Sequence, residues 1–502
     1  MLEGFDAAAR LIYDHAMGTQ FSRASAALAL GLLQAACGSS DSSGAKSTGG
    51  TGGGTGAASG SGGSGAAATG GSGGTGATGA TAPYDVGAEA RQGCSFGPGD
   101  KTTKTVGPSV PHGDALPFEH IVVLMQENRS FDHYFSSLPA YGVTDVTVAT
   151  DQDFNYDPST NPPEKVHRYH ESRYCIVDVN HEWNGVHFQY DDGKMSGFVA
   201  TNNPGGARAM GYYTDADLPY YYWMAKTFAM SDMHFCSLLG PTWPNRFYFF
   251  GATSWGNTKT GDIGVLVNDQ YRTSTKLMDQ LENAGRTWKV YRDGITSFAV
   301  VFKQNSQYLG SNMAQFEQDV DNDTLPNVAI IDPSFTGSGQ NDEHPPANIQ
   351  LGQQFTARVL GKLMSRPNVW KKTVFILFYD EHGGFYDSVP PPEACEPDNL
   401  VPPDWKFDRL GPRTPLIVAS PFAKKGFVSH VVTDITSVTR FIQNRFDLPA
   451  MTRRDANAWP MLDLFDFDNP PFLEPPTGAP SAEPDAAGVQ WCHNNPPGTG
   501  KP

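Results

Sequence analysis

Five short apolar runs limit what this chain can become. They are Ile121–Met125 (IVVLM), Trp288–Tyr291 (WKVY), Val328–Ile331 (VAII), Val374–Tyr379 (VFILFY) and Leu416–Ala419 (LIVA). Each is nearly continuous in apolar residues and stops abruptly at polar ones. A strand exposed on one face would alternate, so these read as strands buried on both faces. The fold class that meets this is α/β: an α/β/α sandwich with a mostly parallel central sheet. Covering helices are expected at Thr275–Ala284, Ile349–Leu363 and Thr436–Phe446. In such sheets ligands gather at the carboxyl ends of strands, so the residues after each run carry the functional signal.

Three strand-end or helix-start segments stand out. Gln126-Glu127-Asn128-Arg129-Ser130 follows the first run, placing two hard oxygen donors, Glu127 and Asn128, where a turn and helix cap are also a sufficient reading. Asp380-Glu381-His382-Gly383-Gly384 follows VFILFY. Adjacent carboxylates at a buried strand end repel unless a cation neutralises them, and the two glycines allow close backbone approach. Gly240-Pro241-Thr242-Trp243-Pro244-Asn245-Arg246 reads as a helix start with Thr242 just before it. A hydroxyl there serves equally as a cap or as a nucleophile beside an anion-favouring helix N-terminus. His181 and His344 each lie beside acidic residues. Together these groups supply the parts of a metal-assisted phosphoryl transfer. Tyr220-Tyr221-Tyr222-Trp223 reads as core, with an aromatic cage for a quaternary ammonium as the alternative.

Outside the sheet the chain divides simply. Residues 1–37 read as an export signal: Arg23, the apolar run Ala24–Ala36, and Cys37 in a lipobox-like setting. Residues 38–82 are nearly all Gly, Ser, Thr and Ala, which cannot bury a core and suit a flexible linker. Residues 83–502 are the catalytic domain. The expected location is therefore the cell envelope as a lipoprotein, with the membrane surface reached through Cys37, or secretion. With 36 basic and 53 acidic residues the net charge is −17, which argues against nucleic acid as a partner. Of the six cysteines, five remain beyond Cys37, so at most two bridges form; Cys94 with Cys492 is one possible pairing. The Pro-rich tail after Asp468 should be irregular and wrap the surface.

The run from Glu119 through Glu127-Asn128-Arg129-Ser130-Phe131-Asp132-His133 to Phe135 resembles the opening motif of the bacterial phospholipase C/acid phosphatase phosphoesterase family. Gly240–Arg246, Asp380–Asp387 and Arg413–Pro421 with Ser429-His430 are similar to its later motifs, in order, over about 117 to 447. The resemblance implies an alkaline-phosphatase-like fold. It implies one divalent metal, Ca, Mg, Mn, Zn or Fe, held by Glu127, Asn128, Thr242, Asp380 and Glu381. It also implies Thr242 as nucleophile, Asn128 as a charge stabiliser, and His181 and His344 at the phosphoryl oxygens or leaving group. The expected activity is phospholipase C cleavage of a glycerophospholipid through a phosphothreonine. An acid phosphatase of the same fold is the alternative, and a binding protein that kept the fold without catalysis is a third reading. Ser136, Ser388 and Ile435 depart from the family's pattern.

Overall fold

A computed structural model describes residues 85–302, 310–337, 339–402 and 404–495. The expected export signal, Cys37 and the 38–82 linker lie outside the described residues.

Eight strands make one sheet. In chain order they are β1 His120–Gln126, β2 Ala229–Ser231, β3 Trp288–Arg292, β4 Ser311–Asn312, β5 Val328–Asp332, β6 Thr373–Tyr379, β7 Leu416–Ala419 and β8 Phe427–Ser429. The spatial order is β8-β2-β7-β6-β1-β5-β3-β4. All five apolar runs are strands of this sheet. The central β1 pairs in parallel with β5 and β6, setting Val123 beside Ile330 and Ile376. β3 extends this block beyond β5, and β4 extends it beyond β3, both in parallel.

β7 departs from the block: it runs antiparallel to both β6 and β2. The physical reason is the connection. Parallel neighbours need a long crossover, usually helical. No helix lies between Tyr379 and Leu416 among the described residues, and the chain returns through irregular structure. An apolar run such as LIVA is buried whichever way it points, so its direction is not written in it.

Helices cover both faces. Those used below are α1 Trp183–Tyr190, α2 Pro219–Thr227, α3 Thr242–Gly251, α4 Leu277–Asn283, α5 Ile349–Met364, α6 Ile435–Arg445 and α7 Ala486–Asn494. The three helices expected from the sequence are α4, α5 and α6. α5 begins where Asn348 accepts from the Gln350 N–H at 2.9 Å. It buries Ile349, Thr356, Val359, Leu360 and Leu363, a helical stripe. Successive strand residues face opposite sides of a sheet. The Phe378 ring accordingly lies 5.8 Å from Phe249 of α3, while the Tyr379 hydroxyl donates to Glu343 on the other face at 2.8 Å. On that second face the Tyr221 hydroxyl of α2 lies 3.0 Å from Thr356 of α5.

Three expectations need correction. The bridges are Cys94–Cys395 and Cys175–Cys492, with Cys236 buried and free. Two bridges and one thiol fit the arithmetic, but Cys94 and Cys492 are not partners, because each terminus is stapled to a different loop. Tyr220–Trp223 is core: Tyr221 and Tyr222 are fully buried, and the Tyr222 hydroxyl donates to the Tyr134 carbonyl at 2.8 Å. It forms no cage. The tail is irregular and wraps the surface, with Trp370 Nε1 donating to the Phe472 carbonyl at 2.7 Å. It then ends in α7, which the Pro-rich composition hides. No helix among the described residues is long and apolar enough to cross a membrane.

Candidate active site

The register of β1 and β6 brings the first two motifs together. Gln126 pairs with Tyr379, so Glu127 and Asp380 leave neighbouring strands side by side, a strand spacing apart. Backbone bonds lock the junction. Asp380 N–H donates to the Gln126 carbonyl at 3.1 Å and Arg129 N–H to the Glu381 carbonyl at 3.1 Å. Asn128 N–H and Glu381 N–H both donate to Asp380 Oδ1, at 3.1 and 2.7 Å.

The turn after β6 needs its glycines. Gly383 has φ +66° and Gly384 φ +75°, a region costly for residues with a Cβ. A Cβ on Gly383 would stand 2.2 Å from the Asn128 carbonyl oxygen, and one on Gly384 2.3 Å from that of Asn180. The turn thus presses against both the Asn128 segment and the loop that bears His181. Asn128 itself has φ +60°, strain of the kind that collects at functional positions.

Thr242 belongs to a third segment, the start of α3. It is the first residue of α3 rather than the residue before it, and Pro241 is the cap position. Pro244 is tolerated in the first turn, whose N–H groups have no partners within the helix. The start is held by Asn245, whose Oδ1 accepts from Leu238 N–H at 3.1 Å and whose Nδ2 donates to the Gly240 carbonyl at 2.8 Å. Arg246 sits one turn beyond Thr242, on the same helix face. Its guanidinium pairs with Glu127 Oε1 and with Asp380 Oδ2, each at 3.0 Å. One side chain therefore ties the threonine's helix to both strand ends.

Two histidines close the remaining side. His181 Nε2 lies 3.3 Å from Asn128 Nδ2, and its Nδ1 bonds the Val179 carbonyl at 2.7 Å. Its Nδ1 is also 3.6 Å from Asp178 Oδ1. The His344 ring centre is 5.6 Å from that of His181. Asp178, His181 and His344 each offer a donor atom, all within 4.8 Å of one another. Their arrangement is therefore compatible with a cation as well as with phosphoryl oxygens.

The electrostatics ask for positive charge. Four carboxylates, Glu127, Asp342, Asp380 and Glu381, are essentially inaccessible to water, with the Arg246 guanidinium bridging two of them. Burial raises all four. Asp380 is pushed up to about 6, burial outweighing Arg246, with Glu127 adding to the rise. Glu381 is held well above the carboxylate range by burial, against the pull of His181. Asp342 rises by burial and by repulsion from Glu127. Burial works against a charged His181, yet Glu381, Asp178 and Glu182 push it up to about 9. His344 is lowered by burial.

The residues fit a divalent cation. Glu127 Oε2, Asn128 Oδ1, Thr242 Oγ1 and Glu381 Oε1 are all buried without a hydrogen-bond partner. Burying such atoms unpaired costs on the order of 1–3 kcal/mol each, more for charged groups. They come from four of the five residues expected to bind the metal. The fifth, Asp380, is already engaged through both oxygens. Hard oxygen donors of this kind suit Ca²⁺, Mg²⁺ or Mn²⁺.

Three residues of the site are not evident from the sequence. Arg246 lies inside the Gly240–Arg246 motif, and an arginine's partners cannot be read along the chain. Asp178 precedes His181 by three residues, a spacing that was a usable signal. Asp342, adjacent to the buried Glu343, is tied to the site twice: its carbonyl accepts from Glu127 N–H at 2.9 Å, and its buried carboxyl repels that of Glu127.

The Phosphoesterase family model matches residues 118–449. Phospholipase C B of Mycobacterium tuberculosis is 34% identical over 430 residues, covering 73% of this chain and 81% of that protein. The hemolytic phospholipase C of Pseudomonas aeruginosa is 30% identical over 439 residues, covering 72% of this chain and 58% of that one. A solved member of the alkaline phosphatase superfamily from Vibrio parahaemolyticus aligns with a TM-score of 0.34 at 11% identity, over 67% of this chain and 69% of its own.

Proposed function

The chain belongs to the phosphoesterase family and is a hydrolase of phosphoric esters, and we propose that it acts as a phospholipase C, cleaving glycerophospholipids to diacylglycerol and a phosphorylated headgroup through a phosphothreonine at Thr242. One observation carries this reading. The unpartnered oxygens of Glu127, Asn128, Thr242 and Glu381 belong to segments that Arg246 and the β1–β6 register draw together. The relatives named phospholipase C support the choice of lipid substrate.

The proposed ligands of one divalent cation are Glu127, Asn128, Thr242, Asp380 and Glu381. Such a cation, when bound, supplies positive charge that acidifies a neighbouring hydroxyl and steadies phosphoryl oxygens. The chain's own groups do the rest. Thr242 Oγ releases its proton to solvent and attacks phosphorus, forming a P–O bond as the bond to the diacylglycerol oxygen breaks. Asn128 Nδ2 donates to a phosphoryl oxygen as charge develops there. His181, held through Nδ1 by the Val179 carbonyl so that Nε2 is turned toward Asn128, gives a proton to the departing alkoxide, a role worth about 10²–10⁴-fold. His344 gives its Nδ1–H to the Pro345 carbonyl, so it donates from Nε2 to the phosphoryl group in its protonated form. Water then attacks phosphorus, the Thr242 oxygen leaves and recovers a proton, and the phosphorylated headgroup departs.

Export through residues 1–37, with Cys37 and the 38–82 segment as anchor and tether, places this activity at the cell envelope in the same proposal. The test is a substrate panel with added divalent cations: p-nitrophenyl phosphorylcholine and phosphatidylcholine against p-nitrophenyl phosphate. Turnover of the diesters is expected. Preference for the monoester would make the chain an acid phosphatase.

A further inference from the structure

The segment that carries Thr242 is flanked by two aromatic residues, and each leads outward to exposed apolar side chains. On one side, Trp183 of α1 lies against Gly240: a Cβ there would meet its ring at 3.0 Å. Trp183 lies tilted against His187 with ring centres 4.4 Å apart, and His187 lies tilted against Trp405, again at 4.4 Å. Trp405 is 46% exposed, and Phe188, one position further round α1 from His187, is 72% exposed. On the other side, Trp243 meets Phe298 at 5.7 Å. Three residues before Phe298, Ile295 is 68% exposed. Ile295 follows the end of β3 (Trp288–Arg292), which is parallel to β5, so it lies beyond the strand edge that bears the site.

His187, between two tryptophans, is held down to about 4 by burial, so it stays neutral and the aromatic column is uncharged. A phospholipid's acyl chains lie in the bilayer, while the candidate site is deep in the protein, with Thr242 buried; a lipid must leave its surface to reach Thr242. Amphipathic aromatic side chains are suited to the level of lipid headgroups. Charge selects the surface: at −17 the chain is repelled by anionic lipid, so attraction must come from apolar insertion into a neutral one.

We infer that Phe188, Trp405 and Ile295 form the rim by which this protein docks on a zwitterionic phospholipid surface, with the Trp405–His187–Trp183 column leading from that surface to Thr242. The inference rests on the phospholipase reading above and names the surface that reading requires.

The test uses the full chain with phosphatidylcholine vesicles, read by co-sedimentation and by quenching of tryptophan emission with brominated lipid. Wild type is expected to sediment with the vesicles and to be quenched. F188S/I295S, which keeps the Trp405 reporter, is expected to lose about tenfold or more in partitioning, the loss of two inserted apolar side chains. Its hydrolysis of the soluble ester p-nitrophenyl phosphorylcholine is expected to match wild type, showing that the fold survives. T242A is expected to bind vesicles like wild type and to lose turnover, which separates docking from chemistry: wild-type activity in T242A with binding intact sinks the catalytic reading alone. The docking inference is overturned if wild type ignores neutral vesicles, if it binds only anionic ones, or if F188S/I295S binds undiminished. It is also overturned if ultracentrifugation shows a dimer that F188S/I295S dissociates while vesicles go unbound.

Discussion

Arg246 donates its Nε–H to Oδ2 of Asp380 at 3.0 Å, across 134 residues of chain and with both side chains buried. The same guanidinium holds Glu127. It is the covalently attached positive charge among the site's carboxylates, and it fixes where α3, and with it Thr242, stands.

Arg246→Met should therefore destabilise the metal-free protein by about 3–5 kcal/mol, since it leaves buried carboxylates without their partner. Chemical denaturation measures this. Added divalent cation should narrow the gap, because it supplies charge to the same group of oxygens. Arg246→Lys should recover little, as an ammonium cannot span both carboxylates as a fork does.

Thr242→Ala should cost on the order of 10³-fold or more in turnover, as removal of a nucleophile does, while Thr242→Ser keeps measurable activity. Stability should move the other way. The Thr242 hydroxyl is buried without a partner, so deleting it removes an unsatisfied polar group and the melting temperature should hold or rise. A large fall in melting temperature would mark the residue as structural.

Chelation with EDTA should lower the melting temperature as well as activity. A cation that binds only the folded state at 100 times its Kd contributes about 2.7 kcal/mol. Restoring Ca²⁺, Mg²⁺ or Mn²⁺ should reverse the shift in wild type and not in Glu381→Gln, whose Oε1 is one of the unpartnered oxygens. Scanning calorimetry with each cation reads both.

His234 predicts an acid limb of stability. It is fully buried, bonded through Nδ1 to Thr433 Oγ1 at 3.0 Å, and burial holds it down to about 3 from an ordinary 6.5. A group lowered on folding stabilises fully above its unfolded pKa and loses that contribution as pH falls toward its folded value. Below about pH 6.5 the unfolded chain takes up a proton that the folded site refuses, costing on the order of 1 kcal/mol per pH unit. His234→Gln should flatten the denaturation midpoint against pH between about 6 and 4. An unchanged slope would show that other groups dominate.

Much of this protein was legible before any coordinates. Continuous runs such as VFILFY needed burial on both faces, and all five proved to be strands. The motif residues Glu127, Asn128, Asp380 and Glu381 were found because strand ends are where polar residues interrupt apolar ones. Gly383 and Gly384 were read as points of close approach, and the carbonyls of Asn128 and Asn180 occupy the space that side chains there would need.

Other features depended on the partner rather than on the residue. β7 is antiparallel because of the route between Tyr379 and Leu416, not because of LIVA itself. The disulfide partners followed from which loops each terminus crosses. Arg246 and Asp178 gained their meaning from groups far away in sequence or across a turn. Periodicity and residue chemistry are local, so the sequence alone determined the five apolar strands, three covering helices and the kinds of atom at the strand ends. Which atoms face one another is a matter of register and packing between distant segments, and only the tertiary structure decided that.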